Sequence, residues 1–120
     1  MAEFQVAPVK PQIRFEDFEK IDVRVGTIEL VEDVKGSDKL VKLIVDFSDQ
    51  KRTAIVGMKK ERENPKEIEG KQALFVVNLG PKKVMGIVSE VMVLDIGYPD
   101  GIVPVLAVPE RHVPNGSRAG

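Results

Sequence analysis

Two clusters of basic side chains are the groups in this chain best suited to bind an anionic partner. Lys82 and Lys83 are adjacent, and a second cluster lies between positions 51 and 62. The second cluster sets five basic side chains against Glu61 alone: Lys51, Arg52, Lys59, Lys60 and Arg62. Ammonium and guanidinium groups contact phosphate oxygens readily. A basic cluster is equally typical of an ordinary solvated surface, so charge alone leaves both interpretations open.

The total charge is nearly balanced, although the charges are unevenly distributed. The 120 residues include 18 basic and 19 acidic ones, which gives a formal net charge of -1. This balance excludes a uniformly basic nucleic-acid coat but allows local basic patches. The segment 15–22 is acidic, in contrast to the two basic clusters. The distribution therefore favours a partner that is anionic.

The groups that most enzymes use for catalysis are scarce. There is no cysteine and a single histidine, His112, in a tail rich in Pro and Gly. Disulfides, thiolate metal sites and cysteine nucleophiles are therefore excluded. A histidine metal cluster or a serine–histidine pair would have to use His112, and no Gly-rich phosphate loop is present. We predict a protein that is not an enzyme and that needs no cofactor and no metal ion.

The apolar pattern divides the chain into an arm and one folded domain. Residues 1–13 contain Pro8 and Pro11 and show no periodicity, which predicts a flexible arm ahead of a single domain at 14–120. No apolar run approaches the roughly 18 residues of a membrane span. The first residues also lack a basic stretch followed by an apolar one, so we expect a cytoplasmic protein with no membrane partner.

The basic clusters would be positioned by a small β-structure. Strands are predicted at 21–30, 41–47, 52–58, 72–79, 91–96 and 102–108. The apolar positions of the first strand change parity at Gly26, which predicts a bulge there. Asn64 and Pro65 predict the start of a short helix that Gly70 ends, and one or two helical turns are expected at 15–20. Three strands, a short helix and further strands predict an all-β fold, the five-stranded Greek-key barrel called the OB-fold, with the helix between strands three and four.

Three segments make the sequence recognisable: KIDVRVGTI at 20–28, GSDKL at 36–40 and VVNLGPKKVMGIVSEVMVL at 76–94. From about residue 15 to residue 120 the chain resembles the tRNA-binding domain family. That family includes the C-terminal domain or separate beta subunit of methionyl-tRNA synthetase and free-standing tRNA-binding homodimers. The resemblance implies an OB barrel with a C-terminal extension that contributes to dimerisation. It also implies a non-enzymatic, structure-selective tRNA binder whose partners are tRNA, methionyl-tRNA synthetase and a second copy of the chain.

The resemblance also supplies a set of candidate tRNA-binding residues. They are Asn78, Lys82, Lys83, Ser89 and Met92, with Lys51 and Arg52 extending the basic surface. Structural interpretations stand beside these: Asn78 can hydrogen-bond the loop backbone, Ser89 can cap a backbone turn, and Met92 can belong to the core. The chain has no Trp, one Tyr and five Phe. This composition disfavours a stacking platform for single strands and favours recognition of folded RNA through its backbone shape.

One departure from the family pattern favours a different function. The tRNA-binding members usually have Ser-x-Gly-Met, whereas this chain has Ser89-Glu90-Val91-Met92. That sequence, with VPNG at 113–116, looks more like the bacterial export-chaperone branch of the same family. The alternative is therefore a dimeric chaperone that binds unfolded or presecretory polypeptides, through an apolar groove near Met85, Ile87 and Val91.

Overall fold

A curled antiparallel sheet makes up most of the structure, a computed structural model that describes residues 4–120. The helix α1 (Phe15–Phe18) precedes ten strands, and 3-10 turns occur at Pro65–Ile68 and Tyr98–Asp100. The strands are β1 (Val23–Asp33), β2 (Val41–Asp46), β3 (Lys51–Val56), β4 (Gln72–Val76), β5 (Lys82–Val84), β6 (Ile87–Ser89), β7 (Met92–Val93), β8 (Asp95–Ile96), β9 (Val105–Leu106) and β10 (Arg118–Ala119).

The strand order confirms the predicted all-β, OB-type barrel. The main sheet runs β3-β2-β1-β4-β7, and β10 joins it by pairing with β1. The curvature comes from β1, whose first half pairs with β4 from Val23 to Thr27 and whose second half pairs with β2 from Thr27 to Asp33. Because its two halves have different main partners, this long strand bends the sheet towards closure.

The predicted bulge at Gly26 was wrong in position. The register of β1 against β2 shifts between Ile28 and Leu30, after the glycine. Gly26 is needed for close packing, because a Cβ there would lie 2.5 Å from the Val45 side chain and 2.8 Å from the Phe47 ring. The change in apolar alternation along the sequence therefore indicated a bent strand correctly. The glycine, however, is explained by the close packing of β1 against the Val45 and Phe47 side chains.

The core fills the curl of the sheet. Phe75, Ile28, Leu43 and Ile68 are its largest fully buried side chains, accompanied by Val31, Val41 and Val45. Ile68 comes from the 3-10 turn that connects β3 to β4. That turn begins as predicted, with the Asn64 side chain accepting a hydrogen bond from the Lys66 amide and with proline next. A short helical plug between strands three and four is thus confirmed.

Two further segments pack around the barrel. β8 and β9 form a separate ribbon in which Ile96 pairs with Val105. The end of the chain lies along β1, where the Gly116 amide donates to the Val25 carbonyl at 2.7 Å. Residues 4–13 are exposed and have no regular secondary structure, while residues 1–3 of the predicted arm lie outside the described residues. In residues 4–120, no helix has the length and apolar character needed to cross a membrane.

Candidate nucleic-acid interface

The segment that carries Lys82 and Lys83 is a β-hairpin. β5 and β6 pair antiparallel and are joined by Met85 and Gly86, whose φ angles are +50° and +82°. Left-handed backbone at both turn positions is typical of a type I′ hairpin. A non-glycine residue at the first of these positions carries backbone strain, which often accompanies functional sites.

The two lysines lie on opposite faces of this hairpin. Lys82 pairs with Ser89, and Lys83 pairs with Val88. Because consecutive residues of a strand point to opposite sides, their ammonium groups diverge. The expectation from sequence treated them as a pair, whereas the hairpin presents them separately.

Lys82, Ser89 and Met92 converge on one cleft of about 290 Å³ between the hairpin and the barrel. Glu90 and Gly80 also border the cleft. Its remaining walls are apolar: Ile55, Val56, Leu79, Val84 and Val91. The structure therefore combines one cation, one hydroxyl, one carboxylate and an apolar surface at the same place.

Met92 is not a core residue, although its neighbour Val91 is. The Met92 side chain is 46% exposed, whereas Val91 is 5% exposed. Met92 lines both the hairpin cleft and a second cleft of about 510 Å³, which contains Lys39 and Tyr98. The thioether thus lies between two depressions, each with a lysine at its border.

Side-chain hydrogen bonds attach the hairpin to the barrel. The Ser89 Oγ accepts from the Ile55 amide at 3.0 Å, and a Glu90 carboxylate oxygen accepts from the Thr53 amide at 3.0 Å. In return, the Glu90 amide donates to the Thr53 carbonyl at 2.8 Å. Ser89 therefore has a structural partner, and its hydroxyl hydrogen is still available to donate to a ligand.

The turn between β1 and β2 brings further lysines to this side of the molecule. The Met85 side chain reaches Gly36, with its Cε 3.6 Å from where a Cβ of that glycine would lie. Lys35 and Lys39 flank Gly36 and, among residues 4–120, make no ion pair. Lys82 and Lys83 share this property, so four ammonium groups are available to an anionic ligand.

Most basic residues of the second cluster, at positions 51 to 62, are neutralised by ion pairs. Lys59 and Lys60 form ion pairs with Asp33 at 3.5 Å and Asp38 at 3.3 Å. Lys51 pairs with Glu29 at 3.0 Å, and this hydrogen bond raises the pKa of Lys51. These contacts reduce the attraction that the cluster exerts on a distant anion.

Arg52 and Asn78 line a separate cleft of about 240 Å³ with Arg24 and Asp22. The Arg52 guanidinium donates to the Val77 carbonyl at 3.3 Å. The Asn78 side chain accepts from the Asp22 amide at 2.9 Å and donates to the Lys20 carbonyl at 2.6 Å. Asn78 therefore clamps the segment before β1, and neither residue lines the cleft that contains Lys82.

Asp22 is the electrostatic centre of that second region. It hydrogen-bonds Arg24 at 3.1 Å and Arg118 at 3.2 Å, which joins β1 to the end of the chain. The hydrogen bond from Arg24, supported by one from Arg118, lowers the pKa of Asp22. In residues 4–120, no group of three His, Asp or Glu side chains is placed to hold a metal ion.

Lys39 and most of the apolar cleft walls were not among the predicted site residues. Of the groove predicted near Met85, Ile87 and Val91, Val91 lines the cleft and the other two residues do not. Lys39 lies in the GSDKL segment, so the resemblance provided a signal for it. The walls Ile55 and Leu79 come from β3 and from the chain after β4, and nothing local in the sequence shows that they meet.

The comparison with known protein families matches the folded part of the chain. The model of a family described as a putative tRNA binding domain matches residues 23–118. This range contains all ten strands apart from the last residue of β10, and it includes both clefts beside Met92.

The curated relatives are much longer than this chain. The methionine–tRNA ligase of Parabacteroides distasonis is 40% identical over 116 residues, which is 97% of this chain and 17% of that protein. The methionine–tRNA ligase of Archaeoglobus fulgidus is 42% identical over 109 residues, 91% of this chain and 16% of that protein. The chain thus spans less than a fifth of these relatives.

Solved structures of matching length come from two kinds of protein. A MetRS related protein from Pyrococcus horikoshii has a TM-score of 0.84 and 36% identity, covering 92% of this chain and 100% of its own. The chaperone CsaA from Bacillus anthracis has a TM-score of 0.78 and 33% identity, with the same two coverages, 92% and 100%.

Proposed function

Because the chain belongs to the family of putative tRNA-binding domains, as its sequence had indicated, we propose that it binds tRNA without catalysing a reaction. It acts in the cytoplasm, free-standing or as an accessory (beta) subunit of methionyl-tRNA synthetase, and uses no metal ion or cofactor. The observation that carries this proposal is the convergence of Lys82, Ser89 and Met92 on one cleft, beside a turn that contains Lys39.

The binding mechanism is electrostatic placement of the RNA backbone. Lys82, Lys83, Lys35 and Lys39 contact phosphates, and the Ser89 hydroxyl donates to a phosphate or a ribose oxygen. Contacts of this kind orient a folded RNA without reading its sequence. A tRNA held in this way has a raised local concentration at any synthetase bound to the same protein.

The aromatic side chains support recognition of folded rather than unpaired RNA. Phe47 and Phe75 pack against each other in the core, with ring centroids 5.5 Å apart. The hairpin cleft, as far as residues 4–120 define it, has no aromatic wall. A generic single-strand binder stacks successive bases on exposed rings, and such a platform is missing beside Lys82.

The decisive experiment is titration of bulk tRNA with the purified chain at several salt concentrations. The double variant Lys82→Ala/Lys83→Ala should weaken binding by about tenfold and reduce the slope of log affinity against log salt by about 1 to 2. Single variants then show which face of the hairpin meets the RNA. If each lysine contributes, the two faces contact different phosphates.

The matched control is Lys66→Ala/Lys71→Ala, which removes the same charge from two exposed positions, one within the 3-10 turn at Pro65–Ile68 and one shortly after it. This control should retain the affinity and the salt slope. Equal losses in the two double variants would mean that only net charge matters. Absence of tRNA binding by the unaltered chain at low salt would overturn the proposal.

A polypeptide-binding chaperone is the second candidate, favoured by the apolar walls of the hairpin cleft and by the CsaA neighbour. The VPNG segment at 113–116, which looks like the chaperone branch, also holds the tail against the barrel. The Asn115 side chain accepts from Thr27 at 2.8 Å and from Gln72 at 2.9 Å, which ties the tail to β1 and β4. An unfolded polypeptide that binds the chain and displaces tRNA would favour the chaperone.

We also propose a homodimer. The ribbon of β8 and β9 exposes Ile96 at 56% and Val105 at 53%, and the connection between the two strands exposes Val103 at 66%. A two-stranded ribbon is marginally stable alone, and an apolar surface of this kind is usually covered. A second copy of the chain would cover it symmetrically and would present two lysine hairpins to one RNA. Sedimentation equilibrium should give twice the mass of the chain, and a monomer at micromolar concentration would contradict this.

A further inference from the structure

We propose that Glu90 is a positioning residue, whose carboxylate holds the hairpin of β5 and β6 in the orientation that binds tRNA. The inference rests on the proposed function, and it assigns to an acidic residue a favourable role beside an anionic ligand. Glu90 itself makes no contact with the RNA. Its effect passes through Lys82 and Lys83.

The hairpin needs such an attachment because its own pairing is short. β5 and β6 have three residue pairs between them and form a sheet separate from the barrel. A two-stranded hairpin of this size is marginally stable in water. Its orientation is therefore set by what connects it to β3.

That connection consists of side chains acting in place of a strand ladder. β3 pairs with β2 on one edge, and on its other edge the Thr53 and Ile55 amides donate to Glu90 and Ser89 side chains, both at 3.0 Å. One backbone bond, from the Glu90 amide to the Thr53 carbonyl at 2.8 Å, completes a reciprocal pair at Thr53. Glu90 is thus bound to Thr53 through both its backbone and its carboxylate.

The attachment lies at the C-terminal end of β6, the strand that pairs with β5 and its Lys82. Ser89 pairs directly with Lys82, and Glu90 is the next residue along the chain. A rotation of the hairpin about this point would move Lys82 away from the cleft and Met85 away from Gly36. Loss of the Glu90 bond is therefore expected to displace the cations rather than to unfold the barrel.

The negative charge of Glu90 and its positioning role predict opposite changes in tRNA affinity for the same substitution, Glu90→Ala. A carboxylate repels phosphate, so Glu90→Ala should strengthen tRNA binding if the residue acts only through its charge. Glu90→Ala should weaken binding if the hydrogen bond to Thr53 matters. Glu90→Gln removes the charge and keeps a side-chain oxygen that can accept from the Thr53 amide.

The experiment compares tRNA affinity at one fixed salt concentration for these variants. We expect Glu90→Ala to bind about fivefold more weakly than the unaltered chain, in line with loss of one ordinary hydrogen bond. Glu90→Gln should bind as tightly or more tightly. Equal or tighter binding by Glu90→Ala than by Glu90→Gln would overturn the inference.

A double-mutant cycle shows whether the effect passes through the lysines. In the Lys82→Ala/Lys83→Ala background, Glu90→Ala should cause a much smaller loss than in the unaltered chain, because both lysines that it positions are gone. A loss as large as in the unaltered chain would mean that the effect of Glu90 does not pass through the lysines, and would overturn the inference.

Hydrogen exchange separates this inference from the proposed function. The Thr53 amide should exchange faster in Glu90→Ala than in Glu90→Gln or the unaltered chain, while the Phe75 amide in the core keeps its protection. If the unaltered chain does not bind tRNA, the proposed function fails, and Thr53 exchange alone then tests the attachment. Equal Thr53 exchange in Glu90→Ala and the unaltered chain would overturn it.

Discussion

The two sides of the barrel are built by different means. On one side, β1 pairs with β4 from Val23 to Thr27, with β2 from Thr27 to Asp33, and with β10 at its start. On the other side, β3 meets the hairpin through the reciprocal bonds of Thr53 with Glu90 and the bond from Ile55 to Ser89. The first side is a continuous backbone ladder, while the second depends on two polar side chains and a single backbone hydrogen bond.

This difference in construction implies that stability and ligand binding depend on different parts of the barrel. Backbone ladders over a packed core open only when the whole domain unfolds, whereas a locally attached hairpin can open by itself at lower cost. The proposed ligand groups belong to the second kind: Lys82 and Lys83 lie on the hairpin, and Lys39 lies on a turn that its tip touches. We therefore expect substitutions in the β1 side to change unfolding, and substitutions at the hairpin to change binding.

The largest expected effect on stability is in the core beneath β1 and β4. Phe75 is fully buried and packs edge-on against Phe47. Phe75→Ala should lower the free energy of unfolding by about 3 to 5 kcal/mol, because a large cavity is left in a small core. Urea denaturation followed by circular dichroism measures the change.

The matched substitution on the hairpin is Val88→Ala, at a side chain that is 49% exposed. It should change the free energy of unfolding by about 0.5 kcal/mol or less. A comparable loss in the two variants would mean that the hairpin is part of the same cooperative unit as the core. The distinction between the two sides would then be wrong.

The second prediction concerns the tail that completes the β1 side. A Cβ at Gly116 would lie 2.7 Å from the Phe47 carbonyl oxygen, and the residue has a φ of +92°. Gly116→Ala should therefore cost about 1 to 3 kcal/mol, from the steric clash and the left-handed backbone together. Gly80→Ala is the control, since no atom beyond its chain neighbours lies within 4 Å of the corresponding position. Equal stability of the two variants would show that the tail is not part of the folded unit.

Local patterns were sufficient to predict the elements of the first side. The alternation from Val41 to Asp46 matches the observed alternate burial of β2. Asn64, Pro65 and Gly70 predicted the 3-10 turn because capping and left-handed backbone are properties of single residues. The OB-type order then followed from the number and sequence of these elements.

The candidate site was predicted less completely because its geometry depends on contacts between distant residues. The Asn78 side chain accepts a hydrogen bond from the Asp22 amide, 56 positions away in the sequence, and so supports the fold just before β1. The pairing of Lys82 with Ser89 and of Lys83 with Val88 follows from a two-residue turn at Met85 and Gly86. Met-Gly lacks the Asn or Asp that usually identifies such turns in a sequence. The family resemblance identified the segment, but the hairpin register decides which residues act together.

The smallest predicted effect is the pH dependence of the contact between β1 and the tail. Hydrogen bonds from Arg24 and Arg118 hold the pKa of Asp22 below its ordinary value. A carboxyl whose pKa is lower in the folded state stabilises the protein above its unfolded pKa of about 3.9, and this contribution is lost as pH falls through the folded pKa. Asp22→Asn should therefore cost about 0.2 to 1 kcal/mol at neutral pH, the range for exposed ion pairs.

Thermal unfolding at pH 7 and below pH 4 tests this contribution directly. The difference in melting temperature between Asp22→Asn and the unaltered chain should shrink as pH falls below about 4, because protonated Asp22 no longer attracts either guanidinium. Asp100→Asn, at an exposed carboxylate in the 3-10 turn at Tyr98–Asp100, controls for removal of one acidic group. A difference that is constant with pH would mean that Asp22 supports the tail through packing alone. The tail would then be held by packing, as the core is. The hairpin would be the part of the barrel whose position depends on charged side chains.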